Sequence, residues 1–199
     1  MGVIERRQRQ KENIRTGILQ AARNIATKEN WQAVTIRKIA DEIEYTAPIV
    51  YEYFENKEAV LLAIALEGAE ILLEKISNVA LTEDPKARLI QFAQAHWQFA
   101  CEHPEVYKLM FGFEWLPSHP EARPKIALQV RKIFLDTLSE ISGVTDETKL
   151  ESFSFNYMCI LHGFTSLIML AQSRKKEIPQ FDPPHLLGIY MERFIKSIS

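Results

Sequence analysis

The stretch TAPIVYEYFENK, residues 46–57, has the pattern of a very short helix. Thr46 stands where a helix N-cap is expected, and Pro48 falls in the first turn, where the intrahelical ladder needs no amide hydrogen. Val50 and Phe54 are four residues apart and are expected to face inward. A helix of this length is marginal in water, so neighbouring helices must hold it while its outer face remains available for another purpose.

Two helices are predicted before this stretch. Apolar residues recur at intervals of three and four from about Lys11 to Lys28, which predicts an amphipathic helix. Thr35 is placed to cap a second helix with Ile36, Ile39, Ala40 and Ile43 on its inner face. A short helix, a tight turn and a second short helix with an exposed face are typical of a helix-turn-helix motif.

The rest of the chain is predicted to be helical. Asn56 is placed to cap a long fourth helix, and proline-rich or acidic breaks then divide the sequence into further helical runs. The period-2 pattern of a strand does not occur. We therefore expect an all-α protein with a three-helix helix-turn-helix domain over residues 1–55. A larger helical effector-binding and dimerisation domain is expected over residues 56–199.

Charge is distributed unevenly along the chain. The formal net charge of the whole chain is -2, yet residues 1–38 contain nine basic and three acidic residues. This excess indicates either a polyanionic partner or a solvated basic segment. The cysteines Cys101 and Cys159 lie in apolar stretches without a C-x-x-C partner, and we expect them to be buried, reduced thiols.

A set of residues spread over the predicted N-terminal helices forms a characteristic pattern. The set resembles the N-terminal domain of the TetR (tetracycline repressor) family of bacterial regulators. It comprises Thr35, Ile36, Ile39, Ala40, Thr46, Tyr51, Tyr53, Phe54, Lys57 and Glu58. Farther along, HWQFACEHPEVYKLMF and LHGFTSL resemble the C-terminal subtype with a Trp-His-Gly signature, although Leu161 replaces its tryptophan. In the turn, Ile43-Glu44-Tyr45 replaces the family's usual Ala-Gly-Val, and Glu44 lacks glycine's ease at positive φ.

The resemblance implies that the second short helix enters the major groove of double-stranded DNA. Thr46 can hydrogen-bond a base or a phosphate, and Ala47 and Pro48 suit contact with thymine methyl groups. The DNA-binding residues expected from the pattern are Thr35, Arg37, Thr46, Ala47, Pro48, Tyr51, Tyr53 and Lys57. Because Glu52 and Glu55 oppose a polyanion, a basic arm from Arg6 to Lys11 must supply much of the non-specific attraction.

The body is expected to contain an effector site and a dimer interface. Two apolar stripes run along the helix after Thr145, and one body cannot easily cover both, so this helix and the last one are expected to form a homodimer. A two-fold dimer implies a palindromic operator. A small apolar or aromatic effector would bind among Trp97, Met110, Phe111, Phe113, Phe134, Tyr157 and His162. His96, Cys101 and His103 do not form a convincing metal site, and we expect neither a metal nor a cofactor.

The leading interpretation is therefore a cytoplasmic, ligand-responsive repressor that is not an enzyme. The alternative is a helical small-molecule-binding protein or an enzyme that has lost DNA reading, although no catalytic pattern is evident. A third class is a membrane-associated protein that uses the apolar segment from Phe153. Its Asn156 and His162 favour a buried helix over a membrane span, so no membrane partner is expected.

Overall fold

The computed structural model describes residues 2–112, 125–173 and 182–199. Every regular element in these ranges is an α-helix, which confirms the predicted all-α class. The helices are α1 Val3–Lys28, α2 Ile36–Glu42, α3 Ala47–Tyr51, α4 Lys57–Val79, α5 Pro85–Glu102, α6 Pro104–Phe111, α7 Lys125–Ser142, α8 Glu147–Ser173 and α9 Pro183–Ile198.

Helix α1 begins eight residues earlier than its apolar periodicity predicts. The helix starts at Val3, so the basic segment from Arg6 to Lys11 forms its first turns and is not a separate arm. The Glu5 side chain accepts a hydrogen bond from the amide of Gly2 at 2.9 Å and closes the helix start. Apolar periodicity does not detect this segment because its residues are polar, yet Arg, Gln, Glu and Lys are good helix formers.

The described residues form two compact units. The N-terminal unit comprises residues 2–68 and 105–112, and the C-terminal unit comprises residues 69–104, 125–173 and 182–199. The division falls within α4, after Gly68, and α6 groups with the first three helices from Glu105 onward. Trp31, in the loop after α1, donates a hydrogen bond from its indole Nε1 to the backbone carbonyl of Glu105 at 2.8 Å.

The core of the N-terminal unit fixes the helix-turn-helix. Val50 of α3 is fully buried and Phe54 is 7% exposed, which confirms that both face inward. They share the interior with buried apolar residues of α1, α2 and α4, namely Ile18, Leu19, Ala22, Ile25, Ile36, Ile39, Ala40, Val60, Leu61 and Ile64. The side chains left on the other side of α3 are the ones that a ligand or nucleic acid can reach.

The C-terminal unit is a helical core built around α5. Helix α5 packs on α7 and α9, and α8 packs on α7 and α9. The buried residues include Leu89, Trp97, Leu138, Tyr157, Leu161, Phe164, Leu187 and Met191. The guanidinium of Arg88 donates to the carbonyls of Thr82 and Glu83, to the Thr137 hydroxyl and to Glu140.

One side of α8 is uncovered. Phe155 is 73% exposed and Leu167 is 67% exposed, and Cys159, Gly163 and Leu170 are exposed on the same side. The expectation of buried thiols is therefore wrong for both Cys159 and Cys101. Their apolar sequence neighbours belong to other faces of the same helices, where they pack inward.

The segment Glu147–Ala171 of α8 has the length and composition of a membrane-spanning helix. It is the one such helix within the described ranges, and the core helix of a soluble protein meets the same criteria. Its inward side packs on α7 and α9.

Candidate nucleic-acid interface and effector site

Helix α3 presents a row of accessible side chains beside the buried Val50. Tyr51 is 56% exposed, Thr46 and Pro48 are exposed, and Ala47 is half-buried. Tyr53, just beyond the helix, is also half-buried. The structure therefore brings five of the predicted DNA-binding residues onto one short segment, and these residues offer hydroxyl groups and apolar surface.

The turn between α2 and α3 is a Schellman motif with an unusual residue at its centre. The amide of Tyr45 donates a hydrogen bond to the carbonyl of Ala40 at 2.9 Å, and the amide of Glu44 donates one to the carbonyl of Asp41 at 3.3 Å. Glu44 has a φ of 58° and is the non-glycine residue at positive φ within the described chain. The strain expected from the sequence at this position is therefore present, since L-residues other than glycine are disfavoured there.

Glu44→Gly is expected to stabilise the N-terminal unit by about 0.5–1 kcal/mol, because glycine adopts this conformation without a Cβ clash. Urea unfolding measures the change. Glu55→Gly is the matched control: Glu55 is also exposed, but its φ is not positive, so the added chain entropy should destabilise the protein. A lower unfolding free energy for Glu44→Gly would contradict the strain argument.

The elements beside α3 hold the remaining predicted DNA-binding residues. The Thr35 hydroxyl accepts a hydrogen bond from the Lys38 amide at 3.2 Å, which confirms Thr35 as the N-cap of α2. Lys57, at the start of α4, donates from Nζ to the carbonyl of Gln32 at 3.2 Å. Arg37 is exposed on the first turn of α2. One lysine, one arginine and two threonine hydroxyls thus lie at or near helix starts in this unit.

The first turns of α1 add a basic surface to the same unit. Arg6, Arg7, Arg9 and Lys11 are all exposed. Farther along α1, the guanidinium of Arg15 lies 5.5 Å from the centre of the Phe54 ring, and Arg23 pairs with Glu67. The more C-terminal arginines therefore take part in the unit's own packing, and the exposed group near the start of α1 remains accessible to a polyanion.

The structure brings four of the predicted effector-binding residues into the core of the C-terminal unit. The rings of Phe134 and Tyr157 lie 4.7 Å apart, and Trp97 meets Phe164 edge to face at 5.6 Å. The Tyr157 hydroxyl donates to the carbonyl of Leu89 at 3.1 Å, and burial raises its pKa. The aromatic residues thus line a densely packed interior in which the Tyr157 hydroxyl already has an acceptor.

His162 is half-buried and meets His96 of α5. The two imidazole centres lie 5.2 Å apart with planes at 83°. His96 is 4% exposed, and Thr165, one turn beyond His162, is fully buried. The sequence analysis did not identify Thr165, although a threonine within an apolar helical run was an available signal.

The other predicted effector-binding residues lie elsewhere. Met110 and Phe111 are half-buried in α6 and belong to the N-terminal unit, where Phe111 packs against Tyr107 at 4.9 Å. Phe113 lies outside the described residues. Within the described ranges, no group of three or more His, Cys, Asp or Glu side chains is arranged to hold a metal ion.

A helix-turn-helix with an exposed second helix, carried by an all-helical chain, defines the class of helix-turn-helix DNA-binding proteins. Residues 18–64 match the family described as bacterial regulatory proteins, tetR family. Residues 89–179 match the tetracyclin repressor-like C-terminal domain. The two matches together cover more than half of the chain, and the chain belongs to the TetR family of transcriptional regulators.

Individual relatives are distant in sequence and close in fold. YobS, an uncharacterized HTH-type transcriptional regulator of Bacillus subtilis (strain 168), is 21% identical over 160 residues, which span 80% of this chain and 81% of YobS. A Rhodococcus sp. protein of unknown function has a TM-score of 0.75 at 16% identity, covering 92% of this chain and 94% of that one. The transcriptional regulator FadR from Bacillus subtilis, in complex with stearoyl-CoA, has a TM-score of 0.67 at 14% identity. The match covers 92% of this chain and 99% of the FadR chain.

Proposed function

We propose that this regulator is a cytoplasmic repressor that binds a palindromic operator as a homodimer. A small apolar or aromatic effector would bind in the helical body, formed by residues 56–199, and release the operator. Residues 1–55 would form the DNA-binding domain. The observation that carries this proposal is the exposed row on α3, backed by the fully buried Val50.

The side chains on α3 suit a major groove with contacts to both bases and phosphates. Ala47 and Pro48 offer apolar surface to thymine methyl groups, and the Thr46 hydroxyl can donate or accept. The hydroxyls of Tyr51 and Tyr53 would form hydrogen bonds with the phosphate backbone. Contacts to the phosphates set the position of the helix on the DNA and carry little sequence information.

Further contacts to the phosphates would come from Thr35, Arg37 and Lys57. Thr35 and Arg37 lie at the start of α2, and Lys57 lies at the start of α4. The Lys57 ammonium keeps further donors beyond its bond to the carbonyl of Gln32. The exposed basic side chains at the start of α1 would supply long-range attraction to the duplex.

The uncovered side of α8 supports a homodimer. Phe155, Cys159, Gly163, Leu167 and Leu170 share this exposed side, and a Cβ built on Gly163 meets no atom within 4 Å. A second copy could therefore approach α8 closely, with α9 beside it, in a four-helix arrangement. Two-fold symmetry pairs the same apolar side of each protomer.

An effector acts only if it binds the two states of the dimer unequally. The aromatic residues of the C-terminal unit offer an apolar lining, and FadR, which shares this fold, holds an acyl-CoA. By analogy, an apolar compound would favour a dimer in which the two α3 helices no longer match successive major grooves.

A gel-shift titration on the DNA that flanks the protein's own gene tests the proposal. The wild type is expected to bind at low salt. Tyr51→Ala should weaken binding about 30-fold, since each of two lost hydroxyl contacts contributes about 1 kcal/mol. Leu128→Ala is the matched control, because Leu128 is 63% exposed on α7 and lies outside the α3 surface.

The absence of any wild-type complex at low salt would refute the DNA-binding proposal. It would favour the alternative of a helical binding protein or enzyme that has lost DNA reading. Repression itself is tested in cells. Deletion of the gene should raise transcription from the bound promoter, whereas a fall in transcription would identify an activator.

A further inference from the structure

The N-terminal unit contains an open cleft between α1 and the turn that precedes α3. We call it the α1 cleft, and its volume is about 330 Å³. It is lined by Gln10, Asn13, Ile14 and Gly17 of α1 and by Ile43 and Tyr45 of the turn. This is the volume of about eleven water molecules, so a deoxyribose with its phosphate is small enough to enter. The lining residues are not among the DNA-binding residues predicted from the sequence.

The wall formed by α1 offers hydrogen-bond donors. Gln10, Asn13 and Gly17 follow one another at intervals of three and four residues, so they share one face of the helix. The side chains of Gln10 and Asn13 are exposed, and each ends in an amide with two donor hydrogens. Arg6 is also exposed and lies one turn before Gln10 on this face. The face therefore combines neutral donors inside the cleft with a positive charge next to it.

The opposite wall joins the α1 cleft to α3. Tyr45 is 46% exposed, and its amide is bonded to the carbonyl of Ala40 at 2.9 Å, which holds the residue in place. Ile14 and Ile43 are half-buried and add apolar surface. Tyr45 directly precedes Thr46, the first residue of the exposed row on α3. The cleft is therefore continuous with the proposed DNA-binding surface.

The space in the α1 cleft depends on Gly17. Glycine in the middle of a helix is unfavourable relative to alanine. A Cβ built on Gly17 would meet Cγ2 of Ile43 at 3.9 Å, which is an ordinary contact, so packing does not require glycine here. A longer side chain would extend into the cleft. A partner that occupies the cleft would explain why this position has no side chain.

The geometry of DNA brings phosphates to this region. An α-helix is about as wide as the major groove, so the segments that flank a helix lying in the groove approach the phosphates at its edges. Tyr45 is such a flanking residue for α3. Glu44, which is exposed beside it, would oppose a phosphate. The attraction must therefore come from the amide donors and from Arg6.

We infer that the α1 cleft binds the sugar–phosphate backbone of the operator beside the bases that α3 contacts. Gln10 and Asn13 would donate hydrogen bonds to phosphate oxygens, and the ring of Tyr45 would pack on a deoxyribose. The inference rests on the proposed function and adds a second contact surface to it. Contacts of this kind fix the register of α3 on the duplex without reading its sequence.

A gel shift with a matched pair of variants tests the hydrogen bonds. Gln10→Ala is expected to weaken operator binding about tenfold, because a dimer loses two hydrogen bonds to phosphate. The variant removes no charge, so the slope of log affinity against log salt should stay that of the wild type, whereas Arg6→Gln should make it shallower. Gln8→Ala is the control and should not change the affinity. Gln8 is also exposed on α1, but it is two residues from Gln10 and points away from that face.

Gly17→Leu tests the space in the cleft. Leucine is a better helix former than glycine, so the melting temperature should not fall. The affinity for DNA should nevertheless fall about tenfold, because the new side chain occupies the position of the backbone. Gly17→Ala adds only a Cβ and should change the affinity by about twofold or less.

Ethylation interference identifies the phosphates that the protein needs. Wild type and Gln8→Ala should show the same pattern, and Gln10→Ala should lose interference at a phosphate beside the bases that α3 contacts. An unchanged pattern for Gln10→Ala would overturn the inference, since its lower affinity would then not arise from a lost phosphate contact.

The wild-type complex separates this inference from the proposed function. If the wild type binds the flanking DNA and both Gln10→Ala and Gly17→Leu bind it equally well, only the inference is overturned. If the wild type forms no complex at low salt, the proposed repressor is overturned, and the inference with it.

Discussion

Leu167→Glu is expected to leave the protein monomeric and to abolish operator binding at physiological salt. Leu167 is 67% exposed on the same side of α8 as Phe155 and Gly163, so the substitution should not disturb the fold of a single chain. In a two-fold dimer the change appears twice, and each carboxylate would lose water without a counter-charge. A penalty of about 4 kcal/mol, or about a thousandfold in the dimer dissociation constant, is reasonable for such burial.

Sedimentation velocity and the gel shift measure the two consequences. A monomer presents one α3 and reads one half-site, so we expect the operator affinity to fall at least a hundredfold, on the scale by which specific binding exceeds non-specific binding. Leu81→Glu is the matched control, because Leu81 is 85% exposed and lies outside α8. If the Leu167→Glu protein sediments as a dimer and binds DNA normally, α8 does not form the interface.

Replacement of Arg6, Arg7, Arg9 and Lys11 by glutamine is expected to weaken DNA binding about 10²- to 10³-fold at physiological salt. These four side chains are exposed on the first turns of α1, in the same unit as α3. A dimer carries eight of them. If half contact phosphate, the slope of log affinity against log salt should become shallower by about four, because fewer counterions are released on binding.

A matched variant distinguishes local contacts from overall charge. Glutamine substitution of four exposed lysines in the C-terminal unit, Lys86, Lys132, Lys149 and Lys196, changes the net charge by the same amount. The salt slope should then stay close to that of the wild type. An equal loss of affinity in both variants would mean that the start of α1 makes no particular contact with DNA and that only total charge matters.

The helix-turn-helix could be predicted because its determinants are local. Each determinant acts over a few residues only: the caps formed by Thr35 and Asn56, the proline in the first turn of α3, and the inward spacing of Val50 and Phe54. The strain at Glu44 was also foreseeable, since a tight turn in this position favours a residue at positive φ. Local signals of this kind suffice because a capped helix requires little long-range information.

Other features required the packed structure. The start of α1 at Val3 could not be read from apolar periodicity, since residues that face water leave no such pattern. The exposure of Cys101 and Cys159 was also missed, because an apolar sequence neighbourhood does not reveal which face of a helix is covered. The placement of α6 with the N-terminal unit, through the hydrogen bond from Trp31 to Glu105, joins residues far apart in the chain.

The sequence by itself determined the all-α class, the order of the helices and the exposed face of α3, because helix propensity, capping and three- to four-residue periodicity act over short distances. Only the tertiary structure decided that His96 meets His162 beside a buried Thr165 and that Phe155 and Leu167 remain uncovered on α8. Such facts depend on how separate helices pack, and the free energy of packing is shared among residues that no short stretch of sequence contains.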